Sequence, residues 1–248
     1  MENLFFMKRE YHKWYSPNLE KEMELLVFGH AGTKVLFFPP RMGRFFDYEN
    51  WKIIAALEQK ILKGKLQIFC VDSVDLESFY NSFKDPGYRI YRHIQYENYV
   101  IEEVLPLANS INSSKNVTSA GCSLGAYHAV NIAMRHPILF TKVVGMSGRY
   151  DLTKSNGCFN DLLSGFHNEF VYFNMPNQYL KNLDDTNLIE QLSKMDIILA
   201  IGKDDSFLES NYKLSNILQE KGILHHLFQW QEEAHKACYW RTMVDIYF

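Results

Sequence analysis

Val117-Thr118-Ser119-Ala120-Gly121-Cys122-Ser123-Leu124-Gly125-Ala126-Tyr127-His128-Ala129 changes character in its middle. Residues 117–120 are a short strand-like run. Residues 126–135 carry helical periodicity and are closed by His136-Pro137. Between them stands Gly121-Cys122-Ser123-Leu124-Gly125, of the form G-x-S-x-G. Five residues with three fixed positions are a weak signal alone, but a strand before and a helix after are the setting this turn requires. The serine is expected at the tip of a strained turn with its hydroxyl above the sheet. Side chains two residues either side would collide there, and glycines relieve the crowding. The N–H of Leu124, opening the helix, then points at a reacting carbonyl oxygen, and the helix N-terminus favours the negative charge that develops on it.

Working outward, apolar runs alternate with amphipathic ones. Residues 5–15 and 23–28 read as paired strands joined at Ser16-Pro17-Asn18. Residues 35–38 form a wholly apolar strand ending at Pro39-Pro40, and 66–71 another. Helical periodicity covers 51–62 and 89–111, and Pro106 should kink the second or begin a new turn. Further strands are expected at 142–146, 197–201 and 224–230. Helices are expected at 188–194, at 208–221 and from about Lys236. This order predicts an α/β fold with a mostly parallel central sheet and helices on both faces. No linker or repeat divides residues 1–248, which read as a single domain. Residues 151–185, rich in Asn, Gly, Phe and Tyr, lack periodicity and form a candidate lid.

Composition narrows the function. The net charge is -3 with no basic block, which argues against a nucleic-acid partner. No segment has the length of a membrane span or the pattern of a signal peptide, so no membrane partner is expected and the location reads as cytoplasmic. Cys70, Cys122, Cys158 and Cys238 form no C-x-x-C pair and read as free thiols. No H-E-x-x-H or comparable metal-ligand spacing occurs.

A serine needs a base to take its proton, and on a scaffold of this kind the chain order is serine, acid, histidine. Of nine histidines, His235 fits best: it lies in a polar loop after the last strand, at the start of the last helix. His128 and His136 belong to the helix after the serine, His225 and His226 to a strand, and His167 is the best dissenting candidate. For the acid, Gly202-Lys203-Asp204-Asp205 follows the strand at 197–201. Asp205 is preferred because it lies far enough beyond Gly202 to turn back over the strand end. Asp151 is the alternative.

The chain resembles the esterase D-like esterases of the α/β-hydrolase superfamily, a group that includes S-formylglutathione hydrolases, feruloyl esterases and mycolyltransferases. The stretches carrying the resemblance are Phe28 to Gly32, Gly43-Arg44-Phe45-Phe46, Cys70 to Asp75, Gly121 to Ala129, Arg135-His136-Pro137, Ala234-His235 and Tyr239-Trp240-Arg241. It implies an α/β-hydrolase fold and hydrolysis of small-molecule carboxylic esters or thioesters through an acyl-enzyme. It also implies a Ser123–His235–Asp205 triad with no cofactor and no metal.

One stretch departs from the family. Where many relatives have His-Gly and a small or apolar residue, this chain has Pro39-Pro40-Arg41-Met42-Gly43. Proline has no N–H, so Pro40 cannot donate to an oxyanion. The donor beside Leu124 is then Arg41 or Met42, with Arg41 preferred. Arg44, Phe45 and Tyr127 are the candidate substrate-binding residues, with Arg41 and Phe46 beside them. An arginine there would meet a carboxylate or phosphate of the substrate, or form a surface ion pair. A non-catalytic hydrolase-fold binding protein, an acyltransferase and a homo-oligomer remain open alternatives.

Overall fold

Side chains alternate between two apolar layers along every inner strand, and that alternation builds the molecule. The structure is a computed structural model that describes residues 7–248. Its strands are β1 (Arg9–Ser16), β2 (Lys21–Phe28), β3 (Thr33–Phe38), β4 (Leu66–Val71), β5 (Val117–Cys122), β6 (Lys142–Met146), β7 (Asp196–Gly202) and β8 (His226–Trp230). They form one sheet in the order β1-β2-β4-β3-β5-β6-β7-β8. β1 and β2 pair antiparallel, as do β2 and β4, and every other pair is parallel. The Phe5 end of the first expected strand lies outside the described residues.

On one face Leu36, Phe38, Phe69, Val143 and Leu199 pack under the helices Pro86–Tyr99, Leu124–Arg135 and Leu208–Glu220. On the other, Val35, Phe37, Ile68, Val144 and Ile198 meet the short helices of residues 47–62 and the C-terminal helix Ala237–Tyr247. Period-two side chains buried on both sides are what a parallel sheet with crossover helices demands.

Two helices differ from expectation. Residues 51–62 break into Ile53–Ala56 and Glu58–Leu62, with Lys52 in the left-handed region at φ 59°. The long helix starts at Pro86, where Asp85 caps it by accepting from the Tyr88 N–H. It passes through a π-helical turn, Val100–Val104, before continuing as Leu105–Ile111. Pro106 explains that turn: it offers no N–H to the Glu102 carbonyl, and the widened turn absorbs the mismatch.

The long helix buries His93 between Phe79 and Tyr127. Its Nε2 lies 3.1 Å from Asn174 Oδ1 and 3.3 Å from the Tyr127 hydroxyl. Burial, with His128 adding to it and Glu97 opposing, pushes the imidazole down to about 3. An unfolded histidine titrates near 6.5. Between these values the unfolded chain holds a proton that the folded chain does not, so this contribution to stability is present above about pH 6.5 and is lost as pH falls toward 3. The slope is about 1.4 kcal/mol per pH unit within that window. Urea unfolding at pH 7 and pH 5 should therefore show the wild type losing about 2 kcal/mol more than His93→Gln. Parallel losses in the two proteins would show that His93 is not the source.

Candidate active site

Parallel strands deliver their C-terminal ends to one edge, and the loops there carry the chemistry-bearing side chains. β5 ends at Cys122, and Ser123 follows at φ 57°, ψ -120°, before the helix Leu124–Arg135 begins. The Ser123 N–H is tied to the Met146 carbonyl of β6 at 2.8 Å. A Cβ on Gly121 would lie 2.2 Å from the Gly125 carbonyl carbon, and one on Gly125 would lie 2.1 Å from Phe38 O. Both glycines are required because helix, strand and the end of β3 meet with no room for a methyl group.

The other two groups arrive from β7 and β8. His235 Nε2 lies 2.9 Å from Ser123 Oγ, and His235 Nδ1 lies 2.7 Å from Asp205 Oδ2. The second Asp205 oxygen accepts from the Phe207 N–H at 2.8 Å, and the side chain is buried. Phe207 and Trp240 lie edge-on to the imidazole at 5.7 and 5.6 Å and limit its motion. The histidine loop is clipped to the sheet: Ser147 Oγ donates to Ala234 O and accepts from Trp240 Nε1. Gly202 lets that loop cross the end of β7, since a Cβ there would sit 2.0 Å from Glu233 O.

The alternatives are occupied elsewhere. The Asp151 carboxylate accepts from Thr153 and Gln178, and exposed Asp204 contributes only its N–H, to Glu232 O. His167 meets Gln178, His136 meets Glu97 and His225 meets Ser215. His226 is exposed on β8.

The turn after β3, where a second oxyanion donor is expected, lies beside the serine turn. Gly43 N–H closes it on Pro40 O at 2.7 Å. Met42, strained at φ 54°, donates its N–H to Asp75 Oδ2 at 2.9 Å. Asp75 Oδ1 in turn meets buried His128 Nε2 at 3.1 Å. Tyr48 joins this turn to the serine turn: its hydroxyl donates to Phe38 O at 2.6 Å and accepts from the Cys122 N–H at 3.0 Å. Burial raises the Tyr48 phenol well above its ordinary range, so the donor stays protonated.

Three expected substrate-binding residues lie elsewhere. Tyr127 is fully buried and donates to Asn174 O, because this side of its helix faces Phe79 and His93 rather than the cleft. Arg44 pairs with Asp72 and Glu24, the surface ion-pair alternative. Phe45 is buried against Phe46 in the second apolar layer. The cleft over Ser123, about 270 Å³, is walled instead by Arg41, Tyr80, Arg149, Phe159, Leu162 and Trp240, among others. The sequence reading missed Tyr48, Asp75, Ser147 and Arg149. A signal existed for Ser147 and Arg149, which follow β6 at the edge where every other site loop emerges.

This architecture, a serine on a sharp strand-to-helix turn within an eight-stranded mostly parallel sheet, defines an α/β-hydrolase. Comparison with known proteins agrees. The family model described as "Putative esterase" matches residues 45–239, and the chain belongs to that esterase family. Among solved structures it is similar to a ferulic acid esterase (TM-score 0.73, 16% identity, 98% of this chain and 97% of that one). It is similar to an S-formylglutathione hydrolase from Agrobacterium tumefaciens (TM-score 0.68, 17% identity, 99% and 94%). A third similar structure is the fluorophosphonate-binding serine hydrolase F of Staphylococcus aureus (TM-score 0.66, 15% identity, 97% and 96%). At these identities the likenesses speak for the fold. No curated protein matches the chain. Among the described residues no helix is long and apolar enough to cross a membrane.

Gly202→Ala is expected to push the loop at Glu233 off the end of β7 and carry His235 with it. Esterase activity should fall about a hundredfold, the scale of an ångström-sized misplacement. The far-ultraviolet circular dichroism should stay at the wild-type level. Unchanged activity would mean that the close approach at Gly202 does not position the histidine.

Proposed function

We propose that the protein is a serine esterase that hydrolyses small-molecule carboxylic esters or thioesters through a Ser123–His235–Asp205 triad. The observation that carries this reading is the unbroken chain from Asp205 Oδ2 through His235 to Ser123 Oγ, with 2.7 and 2.9 Å steps. His235 takes the Ser123 proton as the hydroxyl oxygen attacks the ester carbonyl. The tetrahedral intermediate collapses when His235 returns that proton to the leaving alcohol or thiol. Water then attacks the acyl-enzyme with the same proton transfers, releasing the acid and restoring Ser123. Asp205 keeps the imidazole oriented and stabilises its charged form.

The oxyanion donors in this reading are the Leu124 and Arg41 N–H groups. Leu124 opens its helix, where N–H groups have no intrahelical acceptor. Arg41 is favoured over Met42 because Met42 has committed its N–H to Asp75. The 151–185 segment serves as a partial lid, a role supported by Leu152, Phe159 and Leu162 on the cleft wall. The free thiols, two of them buried, suit a reducing compartment and hence a cytoplasmic location.

The test uses 4-nitrophenyl acetate and a fluorophosphonate probe. Wild type should turn over the ester and be labelled at Ser123. Ser123→Ala should lose label and at least about a thousandfold in kcat. Absence of both turnover and label in folded wild type would leave the enzyme reading without support. Asp75→Ala should free the Met42 N–H and loosen the turn, lowering kcat by about tenfold to a hundredfold with a smaller change in KM. An unchanged kcat would show that Asp75 does not position the Arg41 donor.

A further inference from the structure

The arginines divide into two sets. Arg9, Arg44, Arg92 and Arg135 each lie within salt-bridge distance of a carboxylate. Among the described residues Arg41, Arg89, Arg149 and Arg241 have no such partner. Three of those four gather in one place. Arg41, Arg89 and Arg149 border a groove floored by Tyr80, Phe159 and Leu162, and Arg41 and Arg149 also border the cleft over Ser123.

Arg149 is the most informative of them. It is only 6% exposed, yet the acceptors it holds are neutral: its Nη2 donates to the carbonyls of Leu152, Lys154 and Asn160. Its guanidinium stacks 5.7 Å from the Phe207 ring, beside the imidazole. Burial lowers its proton affinity, but a guanidinium stays charged at any pH a protein tolerates. A buried charge is normally matched by an opposite one. Here Asp151 and Asp161 are near enough to favour the charge, but neither comes within salt-bridge distance of Arg149 and both hold other donors. Asp161, on the groove, accepts from the Leu163 and Gly165 N–H groups, and Asp151 from Thr153 and Gln178. No Asp or Glu borders the Ser123 cleft among the described residues. Arg41 is exposed on the same cleft, with its guanidinium over Tyr80.

We propose that Arg149 and Arg41 form an anion subsite beside Ser123, and that the substrate is an ester bearing a carboxylate. The exposed Arg41 guanidinium suits bidentate recognition of that group, while Arg149, whose Nη2 is held by carbonyls, contributes its charge. Leu152, Phe159 and Leu162 supply an apolar wall for the chain between the ester and the carboxylate. The inference rests on the reading that Ser123 is the nucleophile.

Two matched pairs of esters test it and locate the carboxylate. Mono-4-nitrophenyl adipate against 4-nitrophenyl hexanoate places the charge on the acyl side. 3-Acetoxybenzoate against 3-acetoxybenzamide places it on the leaving group. In one pair kcat/KM for the anionic ester should exceed that for its neutral match by about tenfold at low salt, and about 0.5 M NaCl should shrink the ratio. Arg149→Gln and Arg41→Gln should each lower the ratio about fivefold, measured against the neutral ester in the same preparation. Should Arg149→Gln fail to fold, the exposed Arg41→Gln and the salt dependence decide. No anionic preference in either pair, or a preference that survives both substitutions, overturns the subsite. Hydrolysis of the neutral esters without preference sinks the subsite alone, whereas hydrolysis of none of the four sinks the esterase reading with it.

Discussion

The backbone at Ser123 rests at φ 57°, a region L-residues seldom occupy, and the rest of the site is arranged around holding it there. Such a residue costs about 1–3 kcal/mol and persists only where its surroundings leave no alternative. Here the surroundings are rigid. The helix Leu124–Arg135 is buried along nearly its whole length, so it cannot roll away from the sheet. The close approaches at Gly121 and Gly125 lock helix, β5 and β3 together. The hydroxyl therefore projects from a turn that packing holds, and the first helical N–H groups open beside it.

The same device recurs on the histidine side. Gly202 lets one backbone pass over another, as Gly121 and Gly125 do around the serine. Of the eight non-glycine residues with positive φ among the described residues, five sit in loops leaving the C-terminal ends of β3, β5, β6 and β8: Met42, Ser123, Ser147, Glu232 and Ala234. Strain collected at one edge of the sheet while the strands stay regular indicates that the strands serve as scaffold. The clips at Ser147, between the histidine loop and Trp240, turn that strained loop into a fixed mount for an imidazole.

How much of this was legible depends on what kind of order produced it. The sheet could be read from 35–38, 66–71 and 117–120 because short apolar runs between helical segments leave few options. That Ser123, Asp205 and His235 would meet could be read because strand ends and chain order constrain them, and Asp151 is set apart only once its hydrogen bonds are visible. The break at Lys52 and Leu57 was illegible because the apolar residues on either side keep a common phase. Tyr127 misled for a related reason: a helix buried all round has no polar face to reveal which side meets the cleft. Arg44 and Phe45 lie close in sequence to the β3 turn. Its closure by Gly43 N–H on Pro40 O points them back toward Asp72 and the second apolar layer. The cleft wall at Arg149, Phe159 and Leu162 belongs to irregular chain, where no period exists to read.

The Pro39-Pro40 turn shows how a site of this kind can do without the usual glycine. Glycine lets a backbone N–H approach an oxyanion because nothing else needs the space. Two prolines surrender two N–H groups and fix φ at both positions, so the turn has fewer ways to present the next one. What is lost in freedom is regained in anchorage. Tyr48 holds the end of β3 against the end of β5 through one hydroxyl, and the Asp75–His128 pair holds the turn by its Met42 N–H. With Met42 spoken for and Pro40 barren, the proposed esterase reading leaves the oxyanion contact on this turn to the N–H of Arg41. Its side chain is carried to the same rim. In the proposed reading one residue thus joins the oxyanion turn to the arginine-lined wall, and the departure from the common family pattern would link how charge is stabilised to which ester is accepted.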